Sequence, residues 1–175
     1  MVWSAMRLPG LVIVLLAALT IWPSTGSAAP LATSDPVFGA ASGSMDDEGD
    51  MTPTGNGKFT IDDRVYVGKS LGRSVDGLAA ACFTGDLRSV EEWALESPRM
   101  VGSHESAVTI RSDRGMLTLR LRGQMEQLTA SGTWEIVRSS GGCSELDGEG
   151  KYTASYSSSR SGPSLSLTFD GQTVG

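Results

Sequence analysis

Histidine occurs once in the 175 residues, asparagine once and cysteine twice. A structural zinc site wants about four ligands. A thiol nucleophile wants a free cysteine beside a base. One histidine and two cysteines supply neither easily, so metal and cysteine chemistry have little to work with. Positive charge is also scarce: 14 Lys and Arg stand against 20 Asp and Glu, a net charge of −6. A chain of that sign with no basic stripe repels phosphate backbones, which excludes nucleic acid as a natural partner. Long apolar runs are missing too. The one clear run, Leu11 to Leu19, is shorter than the roughly 20 residues a membrane helix needs.

What the amino terminus does hold is one early cation, Arg7, then that apolar run, then small residues ending in Gly26-x-Ala28. This is the pattern of a secretory signal, and residues 1–28 are assigned to one. The expected location is extracellular, with no membrane attachment after cleavage. The signal contains one arginine and no acid, so the remainder has 13 basic and 20 acidic residues, net −7. An even cysteine count in an oxidising compartment predicts a disulfide between Cys82 and Cys143. Residues 29–54 are small, polar and acidic, with no apolar period of 2 or 3.6, and read as a flexible linker. The cluster Asp46, Asp47, Glu48 and Asp50 lacks the ligand spacing of a calcium loop.

From residue 55 to 175 the periodicity is that of strands. Leu117, Leu119 and Leu121 alternate with Thr118, Arg120 and Arg122, which describes a half-buried strand. Val108 and Ile110 share a face just before it, with Ser-Asp-Arg-Gly between as a hairpin turn. Tyr152, Ala154 and Tyr156 alternate with Lys151, Thr153 and Ser155. Leu165, Leu167 and Phe169 do the same later. The segment around Cys82 reads as a short strand, and "SVEEWALES" fits either a strand or a helical turn. Roughly eight short strands with no βαβ rhythm predict an all-β fold, an antiparallel barrel or sandwich.

Chemical motifs are few. Gly68 to Gly72 matches G-x-S-x-G, but no helix pattern follows Ser70, as the strained nucleophile turn would require. Asp63 stands where a phosphate loop needs its first glycine. His104, between Ser103 and Glu105, reads as an exposed loop residue, because sequence neighbours on a strand point apart. Glu91 with Glu92, and Glu145 with Asp147, read as solvated acids. No catalytic, cofactor-binding or metal-binding residue is assigned.

The stretch Gly132 to Tyr152, "GTWEIVRSSGGCSELDGEGKY", joins one strand to the next. A dinucleotide loop would open a helix instead. Its Gly132, Trp134, Ile136, Gly141, Gly142, Leu146, Gly148 and Gly150 resemble the signature of small secreted bacterial proteins with an allene oxide cyclase-like barrel. The resemblance covers about residues 75 to 158. It departs at Cys143 and Ser144, where Thr-Gly is usual, in keeping with a disulfide variant of the turn. It implies a closed, roughly eight-stranded antiparallel barrel, related in shape to dirigent proteins, and carries over no catalytic residue. The expected role is a secreted, non-catalytic barrel that binds a small apolar ligand or serves as a structural or interaction module. The alternative is a cyclase-like enzyme using the barrel cavity.

Overall fold

In the computed structural model, residues 34–160 and 162–175 are described. The segment assigned as a signal lies outside them. The fold is a closed barrel of eight antiparallel strands with one extra strand beside it. In chain order the elements are β1 (Ser34–Asp47), β2 (Asp50–Gly55), β3 (Lys58–Ser74), α1 (Gly77–Cys82), β4 (Gly85–Glu96), β5 (Val101–Arg111), β6 (Gly115–Glu126), β7 (Thr129–Gly141), β8 (Asp147–Ser159) and β9 (Gly162–Val174). From β3 to β9 each strand pairs with the next. The circle closes because β1 pairs with β9 on one side and β3 on the other. β2 continues the path of β1 along β3 and bonds to β3 alone.

This corrects the reading of residues 29–54 as a linker from residue 34 onward, residues 29–33 lying outside the described ones: Ser34–Asp47 is a barrel strand and Asp50–Gly55 forms a hairpin with β3. The inward residues of β1 are Val37, Gly39, Ala41 and Gly43, so the strand shows almost no apolar period. It is held by backbone ladders on both edges rather than by large side chains. Small residues are required there. A Cβ on Gly39 would lie 1.9 Å from the ring of Phe169, its register partner on β9.

One shorter segment differs from expectation, and an ambiguous one is decided. Cys82 ends a helix, not a strand. Asp76 caps that helix by accepting bonds from the Leu78 and Ala79 amides, and the alanine run then favours helix. "SVEEWALES" is strand up to Glu96, the end of β4, a strand whose Leu87, Ser89, Glu91, Trp93 and Leu95 are buried.

The two ends of the barrel differ. At one end α1 and the β5–β6 and β7–β8 connections meet, and Cys82 is bonded to Cys143 with Cα atoms 5.9 Å apart. Phe83, Trp134 and Phe169 pack together there as edge-on and tilted rings. At the other end lie the β2–β3, β4–β5, β6–β7 and β8–β9 hairpins. Met45, Phe59 and Met100 pack against the core from that side. The interior holds a continuous cluster of buried apolar side chains, as an eight-stranded barrel allows.

Candidate functional site

Near the hairpin end the interior turns polar. Glu91, His104, Ser89 and Ser106 are all buried on β4 and β5. They face Tyr152 and Tyr156 on β8 across the barrel. The geometry that brings them together is set by glycine. Register runs from His104 to Gly123, from Gly123 to Gly132, and from Gly132 to Tyr152. With no side chains on the two strands between, the Tyr152 ring can reach His104. A Cβ on Gly123 would sit 2.7 Å from the Tyr152 hydroxyl.

The hydrogen bonds form one connected set. Ser89 Oγ donates to Glu91 Oε1 at 3.0 Å, and Trp93 Nε1 donates to Glu91 Oε2 at 3.1 Å. Ser89 and Ser106 hydroxyls lie 2.7 Å apart. His104 Nδ1 is 2.7 Å from the Tyr152 hydroxyl and Nε2 is 2.9 Å from that of Tyr156. Glu91 Oε2 lies 3.7 Å from Nε2. Burial, with the Glu91 charge adding to it, raises the tyrosine pKa values: Tyr66 to about 12, Tyr152 and Tyr156 upward as well. All three phenols therefore keep their protons at neutral pH.

The Tyr156 hydroxyl also lies close enough to Glu91 to feel its charge. A neutral imidazole has one N–H and one lone pair, so one of the two phenols donates to His104 and the other accepts from it.

His104 thus sits inside the barrel, not in an exposed loop. Its strand is flanked on both sides by β4 and β6, and the even spacing from Val108 and Ile110 points it inward with them. Glu91 and Glu92 part company, the first buried and the second exposed; Glu145 in the turn and Asp147 at the start of β8 are exposed, as expected. Ser70 is buried and donates to the Phe83 carbonyl at 2.8 Å, a bond that ties β3 to the end of α1. Tyr152 and Tyr156 were legible as one strand face, but their bond to His104 was not. Among the described residues no group of three or more His, Cys, Asp or Glu is placed to hold a metal ion.

On the outer wall, open grooves cross the strands. One is lined by Phe38, Thr133, Lys151, Thr153 and Asp170 and is backed by Gly132 and Tyr152. Another lies over Glu92, Glu105 and Arg122 and is backed by His104 and Gly123. No family model, curated protein or solved structure matches this chain.

Proposed function

We propose that this is an exported, non-catalytic barrel that acts as a binding or structural module through its outer wall. The observation that carries this is the state of the interior. Among the described residues every buried side-chain nitrogen or oxygen has a hydrogen-bond partner, and the buried aromatic and aliphatic side chains form one core cluster. A ligand inside would have to displace bonds already made, at about 1–3 kcal/mol for each group left unpaired. The outer wall supports contact with water and soluble partners. It carries Arg88, Glu92, Arg122, Lys151 and Asp170 among many Ser and Thr, where a membrane barrel would show an apolar belt. The Cys82–Cys143 bridge suits an oxidising compartment. The resemblance to allene oxide cyclase-like barrels supports the same architecture and adds no activity.

A second reading is favoured by one observation, the Glu91–His104–Tyr156 array. Its residue types are those of acid–base catalysis. Under that reading Met45 and Met100, which are flexible, move aside to admit a small apolar molecule. An apolar naphthalene sulfonate dye, titrated into the folded protein while the Trp93 and His104 ring resonances are followed, separates the two. Under the leading reading those resonances stay fixed. Saturable shifts at both rings would transfer the case to the second reading. For export, mass spectrometry of culture medium should find a mature amino terminus near Ala29.

A further inference from the structure

The chain has three tyrosines and one histidine, and the barrel interior holds them all. Tyr152 and His104 have the shortest bond of this group, 2.7 Å from hydroxyl to Nδ1. Taking one electron from a phenol makes its proton strongly acidic. A buried phenol therefore gives up an electron readily only where a base can take the proton at the same moment. Nδ1 of His104 is such a base in the tautomer that carries its proton on Nε2, with its lone pair aimed at the Tyr152 hydroxyl 2.7 Å away. Tyr156 stands farther from the ring, 2.9 Å from Nε2, which carries the proton in that tautomer.

The surroundings also accommodate the product. An imidazolium at His104 keeps its Nε2–H toward Tyr156 and stands 3.7 Å from Glu91 Oε2. The new positive charge is thus paired inside the barrel rather than stranded there. Access is short as well. Gly123 and Gly132 place no side chain between Tyr152 and the wall, and the two outer grooves are backed by Tyr152 and His104 themselves. An oxidant seated outside is one backbone layer away and need not enter.

We propose that Tyr152 is a one-electron redox site, oxidised by outer-sphere one-electron oxidants to a neutral tyrosyl radical while His104 Nδ1 takes its proton. The step balances. The oxidant gains one electron, the Tyr152 O–H bond breaks, and an N–H bond forms on His104. Re-reduction returns the proton along the same bond. The role goes beyond outer-wall binding and needs no room for a ligand.

The test mixes the full, disulfide-intact chain with hexachloroiridate(IV), then freezes it for electron paramagnetic resonance. A neutral tyrosyl signal is expected, lost in Tyr152→Phe and retained in Tyr66→Phe. Because the chain has a single histidine, protein labelled with ¹⁵N-histidine reports on His104 alone. The radical in the unsubstituted protein should couple to that nitrogen, a readout that stands even if Tyr152→Phe fails to fold. A signal that survives Tyr152→Phe, a radical without ¹⁵N coupling, or no tyrosyl signal at all would each overturn the assignment. None of those outcomes bears on whether the dye enters the barrel.

Discussion

Gly39 and Phe169 face each other across β1 and β9, and the ring of one occupies the space the other leaves empty. All three nearest atoms to a Cβ at Gly39 belong to that ring. Gly39→Ala should therefore cost about 1–3 kcal/mol by overpacking, measured by denaturant unfolding. Combining it with Phe169→Leu should cost less than the sum of the two, by about 0.5 kcal/mol or more, because the smaller side chain removes the clash. A strictly additive double variant would mean the ring does not set the constraint. The phenols give a second prediction. A raised tyrosine pKa means the folded state holds the proton more tightly than the unfolded chain. Its contribution to stability is complete below the ordinary value of about 10 and is lost as pH rises toward about 12, the value for Tyr66. Tyrosinate absorbance should accordingly appear together with unfolding in an alkaline titration, not before it. An early, reversible titration of one phenol in folded protein would contradict the burial.

At the scale of elements, strands with large alternating side chains were legible and those without were not. β6 could be read from Leu117, Leu119 and Leu121. β1 could not, because barrel closure demands small inward residues there, and a small residue gives no hydrophobic signal. β4 stayed ambiguous because Ser89 and Glu91 occupy inward positions that a simple strand fills with apolar side chains. The polar site was hidden for the same reason: its members face inward against their chemistry, and only the glycine pair Gly123 and Gly132 explains how they meet. Removing Ser34–Asp47 should abolish cooperative unfolding, followed by circular dichroism, since β3 and β9 would each be left with an open edge. A linker would have been dispensable. The Cys82–Cys143 bridge joins α1 to the β7–β8 turn across a sequence separation of 61. Reduction should lower stability by about 2–5 kcal/mol while far-ultraviolet circular dichroism keeps its β character. Two titratable thiols in unfolded, unreduced protein would remove the bridge.

For the molecule as a whole, most strand pairs are between sequence neighbours; β1–β3 skips one short strand, and β1–β9 joins the two ends of the described fold. Ser34 on β1 is in register with Val174 on β9. Closing that pair carries the full entropy of bringing distant segments together, and β-rich folds with such contacts fold in the range of about milliseconds to seconds. Stopped-flow refolding should show the Trp93 and Trp134 environments maturing with that slow step. Sub-millisecond completion would place closure elsewhere.

The seam between first and last strand also sets an order of events along a growing chain. While β9 is still to come, β1 has only β3 beside it, so a chain emerging amino terminus first cannot settle into its finished form until β9 has appeared. Cys143 arrives well before β9. The sulfur bond can therefore form while the sheet is still open, and the last strand closes a molecule already tied at its far end. A protein built this way stays unfinished, and so still threadable, for as long as β9 has yet to join it.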